Sequence, residues 1–316
     1  MLCVTSTARA GDNDLVLNRL GTPIMDGSGN VTGYVGQNLE LRSLSSQLGV
    51  VLAPHLLTPA DTIGFGGFQL TVDYATTTID STASYWRVLE SSNDPMGNGD
   101  SAHGNGMMRT VGVFARKGTW FPMLSGELGA GAVHLVDSHT WAGQLYTKLA
   151  LHEGYHDLVI PSLAVRGAVS RMMNQRELDL TVASVDVVAS KHFGVGSTWR
   201  FDPYGGWNVL LIVPRSEVID PTPNVDPLVD PDDLMRNFVF KDQDTILRHR
   251  FLVGAKLQYY VFQLTVEAQF ALAGSSVDDR TGTSDSCGPK SMTSLCDAKD
   301  SAKSQRTLSM SAGFDF

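Results

Sequence analysis

The chain has 316 residues and a formal net charge of −9, so it is long enough to bury a large core, and its acidic balance argues against a nucleic-acid partner, whose footprint is a basic patch. The sequence has no apolar run of about 18 residues, the length that a transmembrane helix needs. A mean hydropathy of −0.04 also fits strands with one apolar and one polar face, so composition leaves membrane-spanning strands open.

The N-terminus has one feature of an export signal. Residues 1–10 end in Ala8-Arg9-Ala10, which has the form of a signal-peptide cleavage site. The charged start and apolar middle of a complete signal peptide are missing, so we interpret residues 1–10 as a signal-peptide remnant, with an ordinary disordered N-terminus as the alternative. Residues 11–43 are then predicted to form a periplasmic N-terminal segment, ahead of one domain over residues 44–316.

From residue 44 onward, apolar and polar residues alternate. In the clearest segment Phe262, Leu264 and Val266 alternate with Gln263 and Thr265, and a period of two is typical of a strand. We predict about twelve strands, most of them long enough to cross a bilayer when tilted. They are 44–53, 63–75, 83–90, 107–117, 124–132, 140–152, 162–170, 177–191, 198–214, 250–258, 262–270 and 307–316.

The segment 177–191 departs from simple alternation. Its apolar residues change parity, since Leu178 and Val182 are even whereas Val185 and Val187 are odd. An extra residue in one strand produces such a change. The pattern therefore predicts a β-bulge near residues 183 and 184.

Strands in lipid must pair all their backbone groups, so the predicted fold is an all-β, closed antiparallel transmembrane β-barrel of about twelve strands. If the last strand ends in the periplasm, all the long connections fall outside, as is usual for such barrels. These predicted long extracellular loops are 91–106, 215–246 and 274–304. Three shorter connections fall on the same side: 54–62, 136–138 and 172–176. Five connections fall on the other side: 76–82, 118–122, 153–158, 192–197 and 259–261.

His152, Glu153 and His156 form the pattern H-E-x-x-H, which on a helix holds zinc with the glutamate as a general base. Here the alternation from Thr140 to His152 has a period of two, which predicts a strand that runs into a turn at Gly154. We therefore predict no metal site, and the sequence indicates no cofactor.

The polar face of the strands is predicted to line the barrel interior, with five acidic and five basic residues. Mixed charge fits a narrow polar conduit or a lumen closed by ion pairs, and both interpretations stay open. The predicted lumen-lining residues are Glu127, Lys148, Arg166, Asp179, Asp186, Arg200, Asp202, Arg250, Lys256 and Glu267.

Cys287 and Cys296 lie in one polar stretch. In an oxidising compartment they are predicted to form a loop disulfide, with a free pair as the alternative.

The chain ends in L-S-M-S-A-G-F-D-F, with apolar residues at every second position and the aromatic Phe316 last. This ending resembles the C-terminal insertion signal of bacterial outer-membrane β-barrel proteins. The resemblance implies a Gram-negative outer membrane, surrounding outer-membrane lipid and insertion by the barrel assembly machinery. The phrases S-Q-L-G-V-V-L-A-P, K-G-T-W-F-P and F-D-P-Y-G-G-W are similar to barrels of unassigned role in delta-proteobacteria and myxobacteria.

As function we expect a porin-like conduit for small polar solutes, without enzymatic activity. The alternative is a plugged barrel that anchors an envelope assembly or an adhesive surface, with envelope protein partners bound through residues 215–246 and 274–304. A third hypothesis is an outer-membrane hydrolase. Ser101 and His103 invite comparison with outer-membrane phospholipases, but their spacing differs from the motif of that family.

Overall fold

The computed structural model describes residues 11–97, 104–121, 124–154, 160–196, 198–223, 225, 230, 233–278 and 298–316. The predicted class is confirmed, because these residues form a closed antiparallel β-barrel. In chain order the strands and the α-helix are β1 (Gly21–Met25), β2 (Val31–Gly36), α1 (Asn38–Val51), β3 (Phe68–Thr78), β4 (Met107–Phe121), β5 (Leu124–Leu135), β6 (Trp141–His152), β7 (Ser162–Met173), β8 (Leu178–Ser190), β9 (Phe193–Val195), β10 (Trp199–Ser216), β11 (Ile246–Tyr259), β12 (Phe262–Ala271), β13 (Val277–Asp278), β14 (Ala298–Lys299) and β15 (Gln305–Asp315). Short 3-10 helices span Leu17–Leu20, Ser84–Val88 and Asp233–Arg236.

The barrel wall consists of ten strands, and its first and last strands close it. Strands β3–β8, β10–β12 and β15 pair in sequence order, and β15 returns to β3. At this seam Phe68 N donates to Phe316 O at 2.9 Å, and Phe316 N donates to Phe68 O at 2.8 Å. The short β9 pairs with the first residues of β10 and is not one of the ten. Closure leaves no strand edge exposed to lipid.

The predicted number of twelve strands is wrong, because two of the predicted segments are not strands. Residues 44–51 belong to α1, in which Leu41, Leu44, Leu48 and Val51 recur at helical spacing and are buried. Residues 84–88 form a 3-10 helix. The wall therefore begins at Phe68 and not at residue 44.

The barrel has two different ends. At one end, which we call the short-turn end, the strands are connected by residues 122–123, 153–161, 191–198 and 260–261. At the other end, which we call the long-connection end, the strands are connected by residues 79–106, 136–140, 174–177, 217–245 and 272–304. The predicted turn 76–82 thus lies at the end opposite to the predicted one.

The N-terminal segment packs on the long-connection end. Asn13 N donates to Asp137 O at 2.8 Å, and Leu17 N donates to Glu177 Oε2 at 2.9 Å. From there α1 enters the barrel and contacts β8, β10, β11 and β15. The chain then crosses to the short-turn end, where β3 begins, so residues 54–62 are an internal segment and not the predicted external loop.

The predicted β-bulge in β8 is absent. Even residues face inward along the whole described strand, and its pairing with β7 and β10 is uninterrupted. Leu178, Leu180 and Val182 face inward because they pack against the apolar cluster around α1. The change of parity therefore marks the border between an apolar and a polar half of the barrel interior.

Among the described residues, no helix is long and apolar enough to span a membrane.

Candidate functional site: the occupied barrel lumen

A row of polar side chains crosses the inner wall on six neighbouring strands, β5, β6, β7, β8, β10 and β11. Each member faces the next in strand register, and each is buried. We call this set the charged row; it consists of Glu127, Lys148, Arg166, Asp186, Asn208 and Arg250.

Ion pairs connect neighbours in the charged row. Lys148 Nζ lies 3.1 Å from Glu127 Oε2, and Arg166 Nε lies 2.7 Å from Asp186 Oδ2. Asn208 links the other members, since it donates to Asp186 and accepts a 2.9 Å hydrogen bond from Arg250 Nε. Buried charges need partners of this quality, because desolvating them costs several kcal/mol per ion, about as much as the pairs return.

Residues 52–63, which we call the lumen segment, run past this row. Their backbone carbonyls accept hydrogen bonds from wall cations: Pro54 O from Arg250 Nη2 at 3.0 Å, and His55 O from Arg166 Nη1 at 2.7 Å. Lys148 Nζ donates to three oxygens of the segment at 3.0 to 3.2 Å; they are Thr58 Oγ1, Pro59 O and Asp61 O. The wall cations thus have partners in the lumen segment as well as in the wall.

Backbone N–H groups of the lumen segment donate to side chains of the wall and, through Glu153, of a connection at the short-turn end. The pairs are Leu57 N to Glu267 Oε2 (3.0 Å), Ala60 N to Ser190 Oγ (3.1 Å), Thr62 N to Glu153 Oε1 (3.1 Å) and Ile63 N to Glu127 Oε2 (3.3 Å). For these four N–H groups, side chains therefore take the place of a neighbouring strand, as buried backbone donors require. Pro54 and Pro59 lack an N–H donor, which suits them to a segment outside the sheet.

The predicted lumen-lining residues fall into three groups. Glu127, Lys148, Arg166, Asp186, Arg250 and Glu267 are buried against the lumen segment or the charged row. Asp202 and Lys256 are buried towards the short-turn end, where Arg200 is partly exposed and contacts Asp61 and Asp202 at 3.4 and 2.7 Å. Asp179 was placed wrongly, because without the β-bulge it faces outward with Arg171, 2.8 Å away.

Sequence reasoning missed the lumen segment, although its prolines were a signal against a strand or a regular helix. It also missed Tyr146 and Tyr204, whose hydroxyls donate to Glu127 and Glu267 at 2.6 and 2.8 Å. The positions of both tyrosines fit the alternation of the wall strands, but that pattern does not reveal which residues their hydroxyl groups contact.

Glu153 has a structural role. It accepts hydrogen bonds from Thr62 and from Ser125 Oγ (3.0 Å), and His152 is the last residue of β6. His156 lies outside the described residues. Within the described ranges no three His, Cys, Asp or Glu side chains are placed to hold a metal ion. The predicted disulfide Cys287–Cys296, like Ser101 and His103, also lies outside the described part of the chain.

A histidine–carboxylate pair sits at the long-connection end. His139 Nδ1 lies 2.6 Å from Asp14 Oδ2, and Ser138 Oγ donates to Asp14 Oδ1 at 2.9 Å. Partial burial raises the pKa of Asp14, but hydrogen bonds from the His139 backbone and ring, from Gly11 and from Ser138 outweigh it and hold the pKa below its usual value. The partners are so far apart in sequence that no motif reveals them.

The outer face of the barrel is apolar. Leu145, Leu264 and Met310 are exposed there. Aromatic side chains lie near both ends: the rings of Trp199 and Tyr259 are 4.5 Å apart at the short-turn end, and Trp141 is exposed at the start of β6, towards the long-connection end. An apolar band between aromatic girdles is characteristic of membrane-spanning barrels.

No protein-family model and no curated protein matches the chain. The structure is similar to OmpT, an outer membrane protein of Vibrio cholerae (9% identity, 66% of this chain and 56% of that one, TM-score 0.27). It is also similar to LpxR from Salmonella typhimurium (7% identity, 76% and 99%, TM-score 0.31) and to the outer membrane protease OmpT from Escherichia coli (8% identity, 81% and 99%, TM-score 0.30). The chain spans little more than half of the Vibrio protein.

The closed sheet and its apolar outer face define the class: the protein is a β-barrel of the bacterial outer membrane. The expectation that the protein lacks enzymatic activity is corrected, because a barrel fold by itself does not separate transport from catalysis. The likeness to delta-proteobacterial and myxobacterial barrels stays a prediction.

Proposed function

We propose that the protein is a plugged outer-membrane barrel that serves as an anchor, holding its N-terminal segment and long connections at one membrane surface. The observation that carries the proposal is the bonding of the lumen segment, whose carbonyls and N–H groups pair with side chains around the wall. This supports the plugged barrel over the porin-like conduit.

A solute path through the barrel would need this bonding to break. Moving the segment aside would leave Arg250, Arg166 and Lys148 without the oxygens they now contact. Their wall partners would remain, but each cation would exchange fixed oxygens of the segment for water, and the backbone N–H groups of the segment would lose their wall acceptors. The occupied lumen is therefore the favoured state. At the long-connection end α1 adds an apolar obstruction around Leu44 and Leu48.

The proposal includes a topology. Long connections of outer-membrane barrels are external, and the short turns are periplasmic. Residues 11–37 pack on the long-connection end through Asn13 and Leu17. We therefore place this segment at the cell surface, in contrast to the periplasmic position expected from the sequence, with partners bound there or through residues 215–246 and 274–304.

Planar-bilayer recordings test the plug. The intact protein should give no discrete conductance steps. A variant that removes three donors to the lumen segment together with the two carboxylates they neutralise (Lys148→Met, Arg166→Met and Arg250→Met with Glu127→Gln and Asp186→Asn) should give them, once its heat-modifiable gel shift shows that the barrel has folded. Arg171→Met, on the outer face, is the control and should stay silent. Regular conductance from the unaltered protein would defeat the proposal.

Cysteine labelling tests the topology in a background without Cys3, Cys287 and Cys296. Ser28→Cys lies in the exposed turn between β1 and β2, and Val261→Cys lies in the turn between β11 and β12. An impermeant maleimide should label position 28 on intact cells, and position 261 only after permeabilisation. The reverse labelling pattern would show that the barrel has the opposite orientation in the membrane. The conductance test does not depend on the orientation, so the two parts of the proposal are tested separately.

A second candidate, hydrolysis at the long-connection end, is favoured by the Asp14–His139 pair. The carboxylate can orient the imidazole, whose ring is more than half exposed (57%), as a general base towards a water molecule. A cleft of about 280 Å³ is lined by Asn13, which precedes Asp14 in the chain, and by Arg109 and Asp137. Turnover of fluorogenic ester and peptide libraries should fall at least tenfold in His139→Gln and Asp14→Asn, since general base catalysis contributes about 10²-fold or more. Turnover that is absent or insensitive to both changes excludes this candidate.

A further inference from the structure

The outer wall is not evenly convex. A groove of about 760 Å³ runs over strands β4 to β7 and is bordered by Phe68 at the start of β3. Small residues form its floor, and larger apolar side chains form its sides. The floor includes Ala115, Ala130 and Gly167, and the sides include Phe68, Leu128 and Leu145.

Residue size, and not backbone geometry, creates the groove. A Cβ atom added at Gly167 would meet no atom within 4 Å, and the backbone there is not left-handed. In strand register Gly167 lies beside Thr147, and Leu145 lies beside Ala130. Large and small outward residues thus stand next to each other, which leaves a hollow that the chain does not fill.

The groove belongs to the face that meets hydrocarbon. A hollow in that face is filled by acyl chains or by another apolar surface, because water gains no hydrogen bonds there. Van der Waals contacts favour an occupant that follows its shape, since dispersion is lost wherever a gap remains. A flexible acyl chain meets this requirement without a partner of fixed shape.

A cation lies at one margin of the groove. Lys117 is exposed and shares a cross-strand row with Phe68 and Leu128. Its Nζ donates to Gly66 O at 2.6 Å, which uses one of the three donors of an ammonium group. Trp120, which is 67% exposed, follows on the same strand towards the short-turn end, and exposed tryptophan marks headgroup depth.

We propose that this groove binds one anionic phospholipid from the leaflet at the short-turn end, with an acyl chain along Ala115, Ala130 and Gly167 and the headgroup phosphate at Lys117. Apolar side chains give the site its shape, and Lys117 gives it a preference for negative charge. A second copy of the chain on the same face is the rival occupant, and the test separates the two.

Native mass spectrometry of the full chain in detergent, titrated with phosphatidylglycerol or phosphatidylcholine, tests the proposal. The unaltered protein should retain one phosphatidylglycerol more tightly than further lipids and more tightly than phosphatidylcholine. Gly167→Leu, which fills the groove, should weaken that first binding step about tenfold, or ~1.4 kcal/mol. Lys117→Gln should abolish the preference for phosphatidylglycerol while keeping binding of the acyl chain.

Gly205→Leu is the matched control, because Gly205 also faces outward but lies on β10, away from the groove. It should bind lipid as the unaltered protein does, and the heat-modifiable gel shift of each variant reports that the barrel has folded. Equal retention by Gly167→Leu and the unaltered protein would overturn the proposal. A dimer that Gly167→Leu dissociates, with no retained lipid, would also overturn it and assign the groove to a second copy.

Discussion

Glu127 and Lys148 face each other on β5 and β6 and form an ion pair of 3.1 Å between side chains with no exposed surface. Lys148 also contacts three oxygens of the lumen segment, and Glu127 accepts hydrogen bonds from Ile63 N and Tyr146. The same two side chains thus hold neighbouring strands together and hold the segment that fills the barrel. The stability of the wall and the position of the plug are therefore coupled.

The first prediction concerns this pair. Lys148→Met leaves the Glu127 carboxylate buried without its cation, so the free energy of unfolding should fall by about 3–5 kcal/mol. Urea titration of the refolded protein in micelles, followed by tryptophan fluorescence, measures it.

Two further variants serve as controls for Lys148→Met. Adding Glu127→Gln removes the orphaned charge and should recover part of the loss. Arg171→Met breaks the Arg171–Asp179 pair, in which Arg171 is 67% exposed, and should cost less than about 1 kcal/mol. Equal losses in Lys148→Met and Arg171→Met would show that the buried pair has no special role.

The second prediction concerns the seat of α1. A Cβ atom at Gly49 would lie 2.6 to 2.8 Å from three side-chain atoms of Ile212 on β10, so Gly49→Val should overpack this contact and cost about 1–3 kcal/mol. The change should also raise the rate of amide hydrogen exchange in α1. Gly27→Val lies in open space in the turn after β1 and should leave exchange in α1 unchanged; similar exchange in both variants would refute the close contact.

The sequence predicted all ten wall strands because each has a lipid-facing side that must be apolar, and this requirement imposes a period of two. The prediction of secondary structure failed where side chains do not face lipid and this requirement is absent. Residues 44–51 lie inside the barrel, so Leu44 and Leu48 follow the helical period instead. In β8, Leu178 and Val182 are apolar on the inner side because α1 covers them. Pairs such as Arg166 with the His55 carbonyl depend on how the chain crosses the lumen, which alternation does not encode.

The third prediction concerns pH. Burial raises the pKa of Glu177, in the connection between β7 and β8, and nearby Asp220 adds to the rise, although the hydrogen bond from Leu17 N opposes it. The folded state therefore favours the neutral carboxyl. Its contribution to stability is complete below the usual pKa of 4.5 and is lost as pH rises through the higher folded value.

Glu177→Gln should accordingly match the unaltered protein near pH 4 and exceed it in unfolding midpoint at pH 8. Asp14, whose pKa is lowered, provides a contrast of opposite sign. Its contribution is present above its usual pKa and is lost as pH falls through the folded value, so Asp14→Asn should be less stable than the unaltered protein at pH 8. Denaturant titrations at pH 4 and pH 8 measure the stability of each variant relative to the unaltered protein. If Glu177→Gln were less stable than the unaltered protein at pH 8, the raised pKa of Glu177 would be contradicted.

The fourth prediction separates insertion from stability at the C-terminus. The Phe316 side chain is 67% exposed, and its hydrogen bonds to Phe68 use backbone atoms. Phe316→Ser should therefore lower the amount of barrel assembled in cells severalfold, because the terminal aromatic resembles an insertion signal. It should cost the refolded protein no more than about 1 kcal/mol of unfolding free energy, because position 316 lies at the end of the wall, where substitutions on the lipid-facing side cost little. Phe270→Ser, at another exposed apolar site on β12, is the control and should assemble normally. The amount of heat-modifiable barrel in outer-membrane fractions measures the assembly of both variants. Equal assembly of the two would show that Phe316 carries no insertion signal.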